Sequence, residues 1–577
     1  MSKRRGKDRN QTSIAGWLLL PLFIGGLVAP LPTAAAPPMA NLTAADDSHS
    51  AQVNSDQNQL PESTLNPLEQ PVPLEGTELP TAPGTSEAAD VEVLVERFDI
   101  SGNTVFSDRE LQRELQIFTG RPLDFQDLQR AADAITQKYL NQGYITSRAT
   151  LPQDQTISDG VVEILVTEGE LEIIEVEGSE QLEDYIRSRV ALGGTRPFNQ
   201  TQMEEQLRLL RADPLFSNVE ARLRSGSEVG QSILVVRVTE ANPFSSNLSL
   251  DTLSPPSVGK FRLGANFELR NLTGLGDTLQ TAAYRSTTSG SQIYELSYRL
   301  PVSPMDGAVL LRMNPNNFRI TDPDSPSFDL DLSGSTDIYE LIYRQPLVRS
   351  PQEEFALSLG FRYRRGNTLI GNLITPATTT SVFSFGQDYL KRDMSGVWNV
   401  RSQFRLGTDL FNASTGGGID GQFLSWNGQL QRVQVLGPDH LLILRADLQL
   451  TGESLVGSEQ FYVGGQQSVR GYDQNARFGD NGLRLSIEDQ IVLNRDESGT
   501  PFVQISPFLD MGYVWSAGEI SITQQNFLIG TGMGFLASPT PNLDLRVDLG
   551  VPLVKLREFP DDNSAGLQVY FTVNYRL

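Results

Sequence analysis

From about residue 242 to the C-terminus, apolar and polar positions alternate almost one for one. Phe261, Leu263, Ala265, Phe267 and Leu269 interleave with Arg262, Gly264, Asn266, Glu268 and Arg270. Tyr294, Leu296, Tyr298 and Leu300 interleave with Glu295, Ser297 and Arg299. The last segment sets Leu567, Val569, Phe571, Val573, Tyr575 and Leu577 against Gln568, Tyr570, Thr572, Asn574 and Arg576. Successive strand side chains point to opposite faces, so each segment predicts a strand with one apolar and one polar face. Repeated along residues 242–577, the pattern predicts a transmembrane antiparallel β-barrel with lipid outside and a polar lumen inside. At roughly 20 residues per strand and connection, the region holds about 16 strands. A soluble sandwich or propeller is the competing architecture, but no blade repeat is visible and the apolar faces are rich in aromatics.

Residues 91–241 follow a different, α/β pattern, and it repeats. Arg121-Pro122-Leu123-Asp124 is echoed by Arg196-Pro197-Phe198-Asn199, and Val166-Thr167-Glu168 by Val238-Thr239-Glu240. These echoes predict two copies of one unit, 91–168 and 169–241. Each copy opens with a strand, 93–100 and then 171–176, and two helices follow. Asp124 and Asn199 are placed to cap the second helix of each copy. Leu128, Ala131, Ala132, Ile135 and Tyr139 form one helical stripe, and Met203, Leu207 and Leu210 the other. Such stripes are core, not cofactor boxes. Closing strands run over 161–167 and 233–239. The order β-α-α-β-β resembles the POTRA domain. That resemblance implies docking of a client on an exposed sheet edge, whose unpaired backbone groups suit any extended chain. The sequence leaves open which edge that is, and a plain spacer is the alternative role.

The N-terminus reads as an export signal over 1–35. Lys3, Arg4, Arg5, Lys7 and Arg9 precede an apolar stretch from Ile14 to Val28, and Thr33-Ala34-Ala35-Ala36 offers a cleavage site after Ala35. An uncleaved anchor helix is the competing reading. Residues 36–90, rich in Pro, Ser, Thr, Asn, Gln and acids, predict a disordered linker.

Composition narrows the function classes. There is no Cys, which excludes disulfides, thiolate metal sites and a Cys nucleophile. His49 and His440 are the only histidines, too few for His-based triads or metal clusters. A net charge of −24 opposes nucleic-acid binding. Gly530-Thr531-Gly532-Met533-Gly534 lacks the Lys and the strand–helix setting of a phosphate loop; small residues where a loop nears the barrel wall explain it better. No enzyme, cofactor or metal is expected.

Two motifs carry the chemistry. Gly464-Gly465-Gln466-Gln467-Ser468-Val469-Arg470-Gly471-Tyr472 is a Gly-rich loop with a single Arg, and Phe508-Leu509-Asp510-Met511-Gly512 sits on a later strand. With Asn271-Leu272-Thr273-Gly274-Leu275-Gly276-Asp277, a connection common in that family, they resemble the two-partner secretion transporters, the haemolysin and filamentous-haemagglutinin exporters. The resemblance spans about 91–577. It implies that the loop folds into the pore and that Arg470 pairs with Asp510 on the wall, with Glu488 sharing the guanidinium. Gly471 would let the backbone approach the wall, beside Val469 and Tyr472, with Gly464, Gly465 and Gly512 as loop and wall glycines. The competing reading makes Arg470 an exposed loop cation of little consequence.

The implied function is export of one partner protein, a large β-rich adhesin or haemolysin, across an outer membrane without nucleotide hydrolysis. Implied partners are the client, docked on the POTRA-like units in the periplasm, the outer-membrane lipid, and the barrel assembly machinery. An assembly factor for other barrels, or a diffusion porin with periplasmic anchors, are the alternatives. There are two departures from the family pattern. Residues 37–60 show only weak amphipathic spacing for a pore-plugging helix, and the chain ends in Leu577 rather than Phe.

Overall fold

The computed structural model describes residues 92–577 apart from 154, 156, 158, 326, 375–376, 414–420, 498, 519–524 and 557–565. The export signal and the linker expected over 1–90 lie outside the described residues. Among the described residues, no helix is long and apolar enough to cross a membrane.

The first unit comprises β1 (Val93–Val95), β2 (Arg97–Ser101), α1 (Asp108–Glu114), β3 (Arg121–Leu123), α2 (Phe125–Asn141), β4 (Arg148–Thr150) and β5 (Val161–Thr167). Its main sheet has the order β2–β5–β4, with β2 parallel to β5. The single strand expected over 93–100 is two. The N–H groups of Glu96 and Arg97 both reach the Gly160 carbonyl, and there the chain passes from pairing with β3 to pairing with β5. Helix α1 begins at a capping box, with the Ser107 N–H donating to Glu110 at 2.9 Å. Helix α2 begins where the Asp124 carboxylate accepts from the Asp127 N–H at 2.7 Å. The α2 stripe is sealed against Val95, Phe98, Val162 and Ile164.

The second unit repeats the plan with β6 (Glu170–Glu177), α3 (Glu183–Val190), α4 (Gln200–Arg211), β7 (Phe216–Ser225) and β8 (Gln231–Glu240), in sheet order β6–β8–β7. Asn199 caps α4, and Met203, Leu207 and Leu210 pack on Ile174, Val219, Leu234 and Val236. One backbone detail marks the repeat. Gly102 and Gly178 follow β2 and β6 with φ of +84° and +100°, and a Cβ on either would stand 2.1 Å from a carbonyl, that of Val166 and of Val238. Those valines are the equivalent residues of the Val-Thr-Glu echo, so both copies need glycine for the same close approach.

The sheet edges differ in length. Gln112 donates to the Phe98 carbonyl on β2, and Arg187 to the Ile174 carbonyl on β6, so a helix side chain occupies the same edge in each copy. Thr136 holds the Ala149 N–H of the three-residue β4. Strand β7, ten residues long, is the longest edge, and Arg211 of α4 donates to its Val219 carbonyl at 3.1 Å.

Residues 244–576 form a closed antiparallel barrel of sixteen strands, with a two-residue segment, Leu373–Ile374, added to one connection. The first strand, Phe244–Asp251, closes on the last, Gln568–Arg576. Phe261, Leu263 and Phe267 are exposed on the outer face, whereas Arg262, Asn266 and Glu268 are buried inward. The second unit is pinned beneath this barrel. Arg189 of α3 shares Asp306, in a barrel turn, with Arg299 and Arg349, and Tyr185 donates to Asp213 at 2.6 Å while its ring lies against Gly276.

Candidate functional site

The connection between barrel strands His440–Thr451 and Asn481–Arg495 starts and ends at the rim opposite the two α/β units and folds back into the lumen. It descends as a short hairpin, Phe461–Val463 paired with Arg477–Gly479. Gly464, Gly465 and Gly471 all have positive φ, from +97° to +113°. Val463, Val469 and Tyr472 form a buried apolar cluster with Val514 and Leu528 of the wall. That cluster holds the loop in place; the charges beside it determine how it sits.

Arg470 is 4% exposed, and Asp510 and Glu488 are fully buried. The guanidinium meets Asp510 in a two-point contact, Nε to Oδ2 at 2.7 Å and Nη2 to Oδ1 at 2.9 Å. Its Nη1 reaches Glu488 Oε2 at 2.7 Å, and the Arg470 N–H also donates to Asp510 at 3.1 Å. The planar fork of arginine matches carboxylates in this way, which a lysine could not reproduce. The guanidinium also stacks 3.4 Å from the ring centre of Phe508, the aromatic of the Phe-x-Asp-x-Gly motif.

Several participants are not evident from the motifs. Arg546 bonds Glu488 at 3.0 Å and Asp548 at 2.8 Å, and Ser486 donates to Asp510 at 2.7 Å. Arg546 and Asp548 are two residues apart, hence on one strand face, but every inward Arg–x–Asp pair in a barrel looks the same in sequence. Tyr570 on the last strand accepts from the Gly471 N–H at 3.0 Å and donates to the Tyr472 carbonyl at 2.6 Å. The Tyr472 hydroxyl lies within hydrogen-bonding distance of the Ile529 and Val554 carbonyls.

Close backbone contact explains the glycines. A Cβ on Gly530 would meet the Arg470 carbonyl at 1.7 Å, one on Gly550 the Gly471 nitrogen at 2.6 Å, and one on Gly512 the Val469 side chain at 2.9 Å. The Gly-x-Gly-x-Gly run at 530–534 thus begins where the loop backbone presses on the wall. Among the described residues no group of His, Asp and Glu is arranged to hold a metal.

Residues 230–537 match the haemolysin secretion/activation protein family ShlB/FhaC/HecB, and residues 93–169 match the ShlB-type POTRA domain. The outer membrane transporter CdiB of Escherichia coli is 25% identical over 433 residues, 73% of this chain and 72% of that protein. The heme/hemopexin transporter protein HuxB of Haemophilus influenzae is 24% identical over 416 residues, 68% of this chain and 71% of that protein. The structure of Escherichia coli CdiB superposes with a TM-score of 0.68 at 23% identity, covering 91% of this chain and 98% of the other, and so shares its fold. With a POTRA unit in the periplasm and a closed barrel in the outer membrane, the chain belongs to the haemolysin secretion/activation family ShlB/FhaC/HecB and is a two-partner secretion transporter.

Proposed function

We propose that this transporter exports a dedicated polypeptide client through its lumen, and that the Arg470 loop is the element that shapes the passage. The observation that carries this reading is the buried Arg470–Asp510–Glu488 network, which ties the loop to one side of the wall. A loop anchored by five charged side chains far from any lipid has no purpose in simple diffusion, because a porin needs only an open polar lumen. Unpaired, those charges would be costly.

The periplasmic units receive the client. Strand β7, the longest edge, offers an incoming extended segment the most backbone, with Arg211 of α4 engaging only its Val219 carbonyl among the described contacts. The relatives named as hemolysin and hemopexin transporters point to a large secreted protein as the client class. Passage uses no nucleotide; folding on the far side supplies direction. Lipid holds the apolar belt, and the barrel assembly machinery inserts the chain.

The test is comparative proteomics of the culture medium and outer membrane with and without the gene. Loss of one or a few large proteins from the medium, with other barrels unchanged, is the expected result. A general fall in outer-membrane barrels would overturn dedicated export in favour of assembly.

A further inference from the structure

The lumen has a second charged region, on the strands that precede that of Asp510, and its charge balance is different. A cavity of about 260 Å³ lies between the pore loop and the wall made by strands Glu353–Ile370, Gly396–Thr408 and His440–Thr451. Five arginines line it, Arg362, Arg401, Arg405, Arg445 and Arg484, against three carboxylates, Glu340, Asp447 and Glu459. Each carboxylate is already engaged. Glu459 serves both Arg362 and Arg405, Asp447 holds Arg484 at 2.6 Å, Glu340 holds Arg312 at 3.0 Å, and Arg401 is met from outside the cavity by Asp388 at 3.4 Å, so the cation excess lies around Glu459.

Arg364 lies two residues beyond Arg362, on the same inward face. It is 6% exposed and makes no ion pair among the described residues, and neither its Nε nor that of Arg362 has a hydrogen-bond partner. A buried guanidinium without a counter-charge is costly and is retained where an anion arrives to meet it. The rest of the lining is amide-rich, with Gln403, Asn427, Gln429 and Gln431. Amide side chains offer a donor and an acceptor each, which suits the backbone of an extended chain whatever its sequence. The volume is below that of an ordinary small-molecule pocket, so the occupant is a thin segment rather than a folded domain.

We propose that this arginine wall is a binding track for an acidic, extended polypeptide segment. The proposal rests on the export reading and adds the chemistry of what passes. Two sources share that chemistry. One is the client in transit. The other is the chain's own segment 36–90, which carries nine Asp and Glu and neither Lys nor Arg.

The experiment uses the purified full chain in planar lipid bilayers, with no client present. Ion current is recorded while a synthetic peptide alternating Glu with Ser, or the same peptide with Gln for Glu, is added. Block by the Glu peptide at a concentration at least about tenfold below that of the Gln peptide is expected, weakening as salt rises. Arg364→Gln should remove most of that difference, and Arg364→Lys, which keeps the charge, should retain it. Equal block by both peptides, or an unchanged preference in Arg364→Gln, overturns the proposal. Deleting 36–90 separates the sources. Tighter block after deletion identifies the chain's own segment as a competing occupant, and unchanged block assigns the track to the client. Because the readout needs no secretion, an unchanged secretome in the gene deletion would sink the export reading while leaving this measurement intact.

Discussion

In the first periplasmic unit the sealed side chains are Leu111, Ile135 and Tyr139, among other apolar groups. Where the inward loop meets the barrel wall they are Arg470, Glu488 and Asp510. The first unit is a conventional interior, in which apolar surface leaves water and packing density does the rest. The barrel turns that arrangement outward: its apolar residues face lipid, and its interior must satisfy charges pairwise and by geometry. The contrast teaches that a substitution of one size has two different consequences here. In the unit it opens a cavity. In the lumen it leaves an unpaired charge.

The largest effect is expected from Arg470→Ala. It leaves Asp510 without its cation and Glu488 with Arg546 alone, an imbalance worth about 3–5 kcal/mol for a buried pair. Loop docking should fail and client in the medium should fall at least about tenfold. Immunoblots of medium and membrane check this, with heat-modifiable migration showing that the barrel is assembled. Wild-type export in an assembled Arg470→Ala barrel would erase the functional half of the comparison. Next, Ile135→Ala should destabilise the first unit by about 2–5 kcal/mol while the barrel melts as before. Scanning calorimetry of the full chain reads both transitions, and a shift in both would mean that the two regions are not separate.

A smaller effect belongs to Glu168, a half-buried carboxylate of the apolar unit that gathers several donors. It accepts from the Tyr139 hydroxyl at 2.6 Å, from the Thr104 N–H and hydroxyl at 2.6 and 2.5 Å, and from the Val105 N–H at 2.9 Å. Burial works against its ionisation, but these bonds, led by Thr104, prevail and hold it below the usual carboxylate range. A lowered value means that its contribution is complete above the unfolded value, about 4.3, and is lost as pH falls through the folded one. The first unit should therefore weaken below about pH 4.5, and Glu168→Gln should cost about 1–3 kcal/mol at neutral pH and flatten that dependence. Urea titrations across pH measure both. Smallest is Ser486→Ala, which removes one of several bonds to Asp510 and should cost about 1 kcal/mol, with export nearly unchanged. A loss as deep as that of Arg470→Ala would make Ser486 part of the pin.

How much was legible follows the same division. Caps and stripes such as Asp124, Asn199 and the Leu128–Tyr139 face are local, so sequence spacing reveals them. Alternation reveals which barrel residues turn inward, because strand geometry has period two. It does not reveal which inward residues meet. Arg546 and Glu488 are brought together only by the register of the strands between them, and Glu459 reaches Arg362 and Arg405 only because the loop folds inward. The turn of the chain at Glu96 was equally hidden, since it depends on the Gly160 carbonyl far along the sequence.

The junction at Asp306, where Arg189 of the second unit joins Arg299 and Arg349 of the barrel, has a consequence for kinetics. A receptor on a loose tether would release its cargo into the surrounding volume, and each transfer to the pore would be a fresh search. A receptor held at a fixed standoff makes that transfer intramolecular. If the client docks on β7 as proposed, a segment held there would experience the pore mouth at an effective concentration set by geometry, in the millimolar range for short spans.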